Sequence, residues 1–181
     1  MLVKCEVCGF SYVKGSAADR NNHRKRHSKT LRVLQPQPSV RFLKRLAHVD
    51  DPEHVNVWSP KWIQQELFLR AQMFQREFRY DFPQWSPFED EEPDAHGFVF
   101  NDDTGTFGDG AIVGGGVFRW REFEDASSRW TFDWVWIAPK VRHKGVLSRR
   151  WPAFLRRFSP FHLMRPLSPD MQRFAEKHHS N

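Results

Sequence analysis

Four residues near the start of the chain have the types and spacing of a metal site. Cys5, Cys8, His23 and His27 follow the pattern C-x2-C-x14-H-x3-H. Such a Cys pair lies on a tight turn where the two thiolates converge, and two His one helical turn apart face the same side. Because four protein ligands complete a tetrahedron around Zn²⁺ and leave no open position, the pattern predicts a structural zinc site.

A second stretch with chemical potential lies in the last third of the chain. Phe132, Trp134 and Trp136 alternate with other residues as in a strand, and apolar residues recur at helical spacing over 147–158. The short basic segment 139–145 joins them. A strand that passes into a helix through such a loop directs free backbone N–H groups and the positive end of the helix dipole at one point. The stretch therefore predicts an anion site, with phosphate as the first candidate.

Two further helices are predicted from their caps and apolar faces. Ser59 is suited to cap a helix with Pro60 in its first turn, and an apolar stripe then continues to about Arg79. Ser168 is suited to cap a shorter helix over 169–178. Such stripes predict helices that pack against a core rather than ligand sites.

The strands are predicted between these helices. Segments 97–100 and 111–123 predict a hairpin, 161–164 predicts a last strand, and 40–49 is compatible with either a strand or a helix. Three consecutive glycines at 114–116 lie inside the second strand of the hairpin. Since glycine weakens a strand, they indicate a bulge or the close approach of a ligand or another backbone.

The chain divides into a small unit and a larger one. Residues 1–30 predict the zinc finger, the Pro-containing segment 31–39 predicts a linker, and 40–181 predict one domain with a sizeable core. No apolar span or signal peptide is seen, which predicts a soluble protein of the cytoplasm, or of the nucleus in a eukaryote, with no membrane contact. The two Cys argue against a disulfide framework.

The formal net charge of +6 is unevenly distributed. Residues 1–32 carry eight Lys/Arg and two Asp/Glu, residues 50–125 carry seventeen acids and six bases, and 129–177 carry three acids and eleven bases. The acidic middle includes the run Glu89 to Glu92. This division suits an enzyme with an anionic cofactor and a basic acceptor, although a plain solvated surface explains it as well.

These features together resemble two related groups of enzymes. The order of elements is similar to the GNAT superfamily of N-acetyltransferases, whose pyrophosphate loop R/Q-x-x-G-x-G/A is represented here by RHKGVL from Arg142. The finger segment, the stretch WIAPKVRHKGVLSRR and the C-terminal SPDMQRFA resemble the cohesin acetyltransferases, including the finger residues Gly9, Tyr12 and Asp19. The resemblance implies an α+β fold, in which a mixed, mainly antiparallel GNAT-like sheet flanked by helices follows a small ββα finger.

The resemblance also implies a cofactor site for acetyl-CoA. Loop amides would hold its pyrophosphate, with charge-assisted contacts from Arg142 and Lys144, and the thioester would lie between two splayed strands. The cofactor-binding residues implied are Trp136, Ile137, Val141, Arg142, His143, Lys144, Gly145 and Val146.

Acetyl transfer to an amine needs a group that removes a proton, because only the neutral amine attacks. Asp133 in the central strand and Asp170 at the last helix are candidate bases, with Glu122 a weaker one, and a water relay is an alternative. Asp170 is equally suited to stabilise a helix N-terminus. Ser148 resembles a family position near the acceptor. Many GNAT enzymes use a Tyr late in the chain to protonate the leaving thiolate. No Tyr follows Tyr80 here, so the resemblance leaves Ser148 or water for this role.

The predicted function is therefore acetyl transfer from acetyl-CoA to an amine, most simply a lysine of a basic protein. The main alternative is a non-catalytic GNAT-like protein that uses the finger and basic surface to bind nucleic acid or protein. A small-molecule N-acetyltransferase is a third reading. Sequence-specific DNA reading is not expected, because a single finger contacts few base pairs.

Overall fold

The computed structural model describes residues 1–87, 94–124 and 127–178. The elements in chain order are β1 (Leu2–Lys4), β2 (Ser11–Val13), α1 (Ala17–Leu34), α2 (Val40–His48), β3 (His54–Val55), α3 (Lys61–Phe78), β4 (Ala95–Asn101), β5 (Ile112–Glu122), β6 (Ser128–Ile137), α4 (Val146–Phe158), β7 (Phe161–Leu163) and α5 (Pro169–His178). The acidic run Glu89 to Glu92 lies outside the described residues.

The N-terminal unit has the ββα arrangement that the sequence predicts. β1 and β2 pair antiparallel, and α1 follows. Ser16 caps α1 by accepting a hydrogen bond from the Asp19 amide at 3.2 Å, while the Asp19 carboxylate accepts one from Val13 N at 2.8 Å. α1 continues to Leu34, so its last turn occupies the start of the predicted linker, where Val33 is buried.

The larger unit is built on one five-stranded sheet in the order β3-β4-β5-β6-β7. All neighbouring pairs are antiparallel except β6 with β7, which confirms the predicted α+β class and its mainly antiparallel sheet. Segment 40–49, compatible with two structures, is the helix α2, and β3 is a short edge strand that the sequence analysis does not predict. No helix within the described ranges is both long and apolar enough to span a membrane. The cytoplasmic or nuclear location stays a prediction.

The three glycines of β5 are explained by close packing. A Cβ on Gly115 would lie 2.8 Å from Phe98 O and 2.9 Å from Leu67 Cδ1, and one on Gly116 would lie 2.8 Å from Trp134 O. Real Cβ atoms do not approach backbone so closely, so β5 needs glycine to fit between its neighbouring strands and under α3. Of the predicted alternatives, the close approach of other backbone accounts for these glycines.

A β-bulge at Asp133 interrupts the alternation along β6. Val117 of β5 pairs with Trp134, whereas the next residue, Phe118, pairs with Phe132, so Asp133 is the extra residue. The side chains on either side of it consequently face opposite layers: Phe132 contacts Phe154 of α4, with ring centroids 5.9 Å apart, and Trp134 contacts α3. The alternation in the sequence predicts a single face for Phe132 and Trp134, and this is wrong because the bulge reverses it.

Immediately after the bulge, β6 and β7 separate. β7 pairs with β6 only from Trp130 to Phe132, and the last connection is the hydrogen bond from Met164 N to Phe132 O at 3.1 Å. β6 continues to Ile137 while β7 ends at Leu163. The separation leaves the second half of β6 exposed along one edge, next to the loop that leads into α4.

Aromatic packing fixes the helices around this opening. Phe158 of α4 stacks on Phe118 of β5, with ring centroids 4.1 Å apart. α5 is held against α4 by Phe174, which lies 4.9 Å from the Trp151 ring, and Trp151 Nε1 donates a hydrogen bond to His178 O at 3.0 Å. Phe118, Trp151 and Phe158 are buried and Phe174 packs, partly buried, against them, so the walls of the opening are anchored in the hydrophobic core.

Candidate active site and zinc site

The four predicted zinc ligands converge in space. The ligand atoms of Cys5, Cys8, His23 and His27 all lie within 4.8 Å of one another. His23 Nε2 is buried and has no hydrogen-bond partner within the described ranges, as expected for an atom that donates its lone pair to a metal. Tyr12 stacks on the His23 ring at 4.3 Å and holds it in place. The geometry and the donor set fit a structural zinc ion.

The electrostatics of the two thiols also suit a metal site. A hydrogen bond from the Cys8 backbone, followed by contacts with His23 and His27, lowers the pKa of the Cys5 thiol to about 6. Burial raises the pKa of Cys8. A thiolate is the form that binds Zn²⁺, so Cys5 is prepared for the metal, whereas Cys8 gains its charge when the ion binds.

The opening beside β6 forms a cavity of about 340 Å³. Its walls are the exposed edge of β6, the loop into α4, the first turn of α4 and the start of α5. The predicted site residues that line it are Trp136, Ile137, Val141, Arg142, His143, Gly145, Val146, Ser148 and Asp170. The structure therefore brings together all the predicted cofactor residues except Lys144, with two of the three catalytic candidates.

The loop and the start of α4 present unpaired amides to this cavity. Gly145 is the N-cap of α4 with φ +81°, and no side chain caps the helix. The N–H groups of Val146, Leu147 and Ser148 have no acceptor among the described residues, since the first hydrogen bond of α4 runs from Arg149 N to Gly145 O. Together with the helix dipole they form the anion site that the sequence predicts.

Two of the basic residues predicted to contact phosphate are occupied elsewhere. The Arg142 guanidinium donates two hydrogen bonds to Glu77 of α3, at 2.8 and 2.6 Å, and a third to Ile137 O at 2.9 Å. Lys144 Nζ donates to Thr106 Oγ1 at 3.0 Å, on the connection between β4 and β5. In this conformation both side chains hold the loop in place, and the positive potential at the cavity comes mainly from backbone groups.

Glu77 is a site residue that sequence reasoning missed. Besides Arg142, its carboxylate accepts a hydrogen bond at 3.0 Å from Nε1 of Trp136, a ring that is only 1% exposed. The predicted contribution of Trp136 is therefore to the wall of the cavity, through an indole that points at α3. The signal available in the sequence was a single carboxylate on the apolar stripe near the end of α3, which does not reveal its partners.

Acidic residues on other elements also fix the start of α4. Arg149 is paired with Asp103 at 2.6 Å, and Arg150 binds both Asp103 and Glu53. The Arg149 side chain also donates a hydrogen bond to Lys144 O at 3.0 Å, across the loop. These contacts hold the first turn of α4 in one orientation, so the amides at the cavity are arranged before any ligand arrives.

Ser148 of α4 and Asp170 of α5 line the same cavity. The Asp170 carboxylate is 3.4 Å from Nε2 of His143 and is bound on its other oxygen by Arg173. The side chain of Asp170 is half exposed, so an incoming amine has access to it. The predicted base and hydroxyl are thus placed together by the fold.

Asp133 is placed differently. Its carboxylate accepts hydrogen bonds from Arg119 at 2.7 Å and from two nitrogens of Arg121 at 3.0 and 2.7 Å, and its side chain is 2% exposed. Both aspartates are contacted on both oxygens, but Asp133 is buried whereas Asp170 is half exposed, and this burial between two arginines favours a structural role for Asp133 over proton removal. Glu122, the weaker candidate, lies at the far end of β5 opposite Ser128.

Asp133 lines a second chamber of about 360 Å³ that adjoins the first cavity. The two share walls formed by Phe78, Val135, Ser168 and Met171. The lining of this second chamber is mostly aromatic and aliphatic, with Phe74, Tyr80 and Leu163 among its residues. An extended ligand that enters from either side would reach the exposed edge of β6 at the junction.

Comparison with known families identifies the finger. Residues 1–29 match the family described as the zinc-finger of acetyl-transferase ESCO, so the resemblance to the finger of the cohesin acetyltransferases is confirmed. Cys5, Cys8, His23 and His27 all lie within the matched residues, and their converging donor atoms fit the zinc ion of such a finger. No curated protein matches the sequence.

Solved structures identify the fold of the larger unit. The acetyltransferase domain of xEco2, bound to a CoA conjugate, aligns at 14% identity with a TM-score of 0.50 and covers 69% of this chain and 84% of its own. A ribosomal-protein-alanine N-acetyltransferase from Brucella melitensis biovar Abortus 2308 aligns at 14% identity and a TM-score of 0.47, with 69% and 86% covered. An aminoglycoside acetyltransferase from an uncultured soil metagenomic sample aligns at 13% identity with a TM-score of 0.46. The alignment covers 71% of this chain and 86% of that enzyme. The likeness to the xEco2 domain confirms the GNAT fold.

Proposed function

We propose that this protein is an acetyl-CoA-dependent N-acetyltransferase whose acceptor is an amine, most simply a protein lysine. One observation carries the proposal: the separation of β6 from β7 opens directly onto the uncapped start of α4, in a cavity that also contains Ser148 and Asp170. This cavity offers an anion site, an edge of free backbone groups and a proton acceptor. Those are the three parts that acetyl transfer from a phosphorylated carrier requires.

In this proposal the backbone does most of the binding. The amides of Val146, Leu147 and Ser148 would hold the pyrophosphate. The unpaired edge of β6 at Val135 would hold the extended arm of the carrier, beside the Ile137 carbonyl that Arg142 already binds. Acetyl-CoA supplies the acetyl group as a thioester that an amine can attack. Because the loop is fixed by Arg142 and Arg149, little ordering is needed on binding, and the position of the reacting carbonyl is well defined.

Asp170 is the base that we propose, in preference to Asp133. Its carboxylate is half exposed in the cavity, so it can accept the proton that an acceptor ammonium must lose, directly or through a water. For the proton that the leaving sulfur must gain we propose Ser148 Oγ as the donor, because it lines the same cavity, and water is the alternative donor. Asp133 is instead bound by Arg119 and Arg121, at the bulge after which β6 and β7 separate.

The chamber beyond the junction is the acceptor side of the proposal. Its aromatic and aliphatic walls suit the methylene stem of a lysine whose amine reaches toward Asp170. The carboxylate that lines it, Asp133, is already paired, so the described lining offers little attraction to the basic acceptor that the sequence predicts. A lysine in a segment that is not itself basic fits these walls better than a lysine in a basic segment.

A mass measurement tests the proposal. The full chain is incubated with acetyl-CoA and a panel of lysine-containing proteins and small amines, and each product is examined for a gain of one acetyl group. We expect acetylated protein lysines, with the yield reduced by Asp170→Asn. Acetylation of small amines alone would indicate a small-molecule N-acetyltransferase. Absence of any acetylated product would contradict transferase activity.

A further inference from the structure

A large cleft separates the zinc finger from the second half of α3. It measures about 750 Å³, roughly twice the cavity proposed for acetyl-CoA, and lies between α1 and β1 on one side and α3 on the other. Val33, Leu69 and Met73 form its buried floor. The cleft exists only because finger and domain pack together, so neither unit provides it alone.

The rim of this cleft carries positive charges that no acidic residue of the described lining neutralises. The basic residues that line it are Lys4, Lys25, Arg26, Lys29, Arg76 and Arg79, and the described part of the lining contains no carboxylate. None of these six forms an ion pair within the described residues, whereas Arg142, Arg149 and Arg150 beside the acetyl cavity are all paired. Like charges that face one another across a cleft raise the local positive potential and favour an anionic partner.

The cleft adjoins the acceptor side of the proposed active site. Arg79 and Tyr80 line both the cleft and the acceptor-side chamber that contains Asp133. Arg79 ends α3 in the left-handed conformation with φ 59°, which turns the chain between the two spaces. A polypeptide in the cleft can therefore extend past Tyr80 and place a side chain at the junction with the acetyl cavity.

We infer that the cleft binds an acidic segment of the acceptor protein, adjacent in sequence to the lysine that is acetylated. The inference rests on the proposed function and specifies its substrate: a lysine flanked by Asp and Glu rather than one in a basic tail. Six cations are available to the acidic run, while the apolar chamber takes the stem of the lysine. Nucleic acid would satisfy the same charges, but its backbone supplies no primary amine for the chamber, so the adjacency of the two spaces favours a polypeptide.

The binding test needs no catalysis. A fluorescent peptide with one central lysine between runs of glutamate is compared with its glutamine counterpart by anisotropy, using the full chain loaded with zinc. We expect the glutamate peptide to bind about tenfold more tightly or better at moderate salt, with a preference that decreases as salt increases. Equal affinity for the two peptides would overturn the inference.

Matched variants locate the binding surface. Lys29→Glu with Arg76→Glu removes two cleft charges, and the control Arg20→Glu with Arg24→Glu makes the same change in charge at exposed positions of α1 outside the cleft lining. We expect the first pair to abolish the preference for glutamate and the control pair to retain most of it. Equal losses would reduce the effect to net charge and contradict a specific cleft. If charge reversal impairs folding, the milder double variant Lys29→Gln with Arg76→Gln replaces it, and thermal unfolding checks that this variant is folded. It should likewise lose the preference for the glutamate peptide.

Two further measurements separate the possible failures. Acetyl-CoA titration of the cleft variants should match the wild type, because these residues lie outside the acetyl cavity. Unchanged acetyl-CoA binding without a peptide preference would overturn the acidic acceptor alone, whereas failure of acetyl-CoA to bind the wild type would overturn the proposed function. Displacement of the peptide by single-stranded DNA that binds more tightly, with loss of DNA binding in the cleft variants, would reassign the cleft to nucleic acid and overturn the inference.

Discussion

The zinc site and the cavity proposed for acetyl-CoA, between β6 and the start of α4, are two ways of building a binding site from the same chain. The zinc ligands lie within 23 residues of sequence and bind through side chains that converge on one point. The cavity depends on backbone groups at the start of α4, which are held in place by Glu77, Asp103 and Thr106 from distant parts of the chain. The first site is stabilised by its ligand, whereas the second is arranged by the surrounding fold before a ligand binds.

This difference predicts how each site fails. Removal of one ligand from the finger removes the interaction that replaces a hydrophobic core in a unit of this size. Removal of one side chain at the cavity leaves the backbone amides in place and weakens the site by degrees.

Cys8→Ser should abolish the finger as a folded unit. Zinc-finger peptides gain about 10 kcal/mol or more from their metal, so the loss of one thiolate releases the ion. We expect loss of stoichiometric zinc in elemental analysis and loss of helical signal from α1. The sheet of the larger unit should still unfold cooperatively. Retention of zinc in this variant would contradict the assignment of the four ligands.

The two aspartates should separate stability from chemistry. Asp133→Asn removes the negative charge that faces the buried Arg119 and should lower the free energy of unfolding by about 3–5 kcal/mol. Asp170→Asn, at an exposed position, should change the free energy of unfolding by less than about 1 kcal/mol and reduce kcat about 100-fold, as expected for loss of a general base. Denaturant unfolding and steady-state kinetics measure both. The opposite pattern would return the role of base to Asp133.

Glu77→Gln should loosen the cavity without destroying it. The amide can still accept a hydrogen bond from Trp136, but the charged pair with Arg142 is lost. We expect the free energy of unfolding to fall by about 1–2 kcal/mol and the Kd for acetyl-CoA to rise severalfold. Lys140→Gln is the control, an exposed charge on the same loop that should leave both quantities unchanged.

Acid should weaken the larger unit through a pair of histidines near the end of α4. His54 Nε2 lies 2.8 Å from His96 Nδ1, and burial, followed by the charge of Arg157, lowers the pKa of His54 to about 4. The unfolded chain thus binds more protons between about pH 6.5 and 4, and stability falls as the pH falls through that range. We expect a loss of about 1 kcal/mol, limited because the rings are partly exposed.

The matched variant for this prediction is His54→Gln combined with His96→Gln. The zinc site is the same in both proteins, so its own acid sensitivity cancels in the comparison. The wild type should lose more thermal stability than the variant between pH 7 and 5, as measured by calorimetry. Parallel decreases in the two proteins would assign the acid effect to other groups.

The sequence predicts the local features of this molecule well and the long-range ones poorly. The zinc ligands, the hairpin, the last helix and the loop into α4 depend on spacing, caps and turns that lie within one segment. The bulge at Asp133 and the pairing of Glu77 with Arg142 depend on neighbours that only the folded chain supplies.

The central claim is that the start of α4 binds acetyl-CoA, and calorimetric titration of the zinc-loaded chain tests it most directly. We predict one binding site for the wild type. Gly145→Glu should abolish binding, because φ +81° is unfavourable for a side chain and a carboxylate there repels phosphate. Lys140→Gln makes the same change of one charge unit at an exposed position of the loop, and its effect should be much smaller. Absence of detectable binding by the folded wild type would contradict the account.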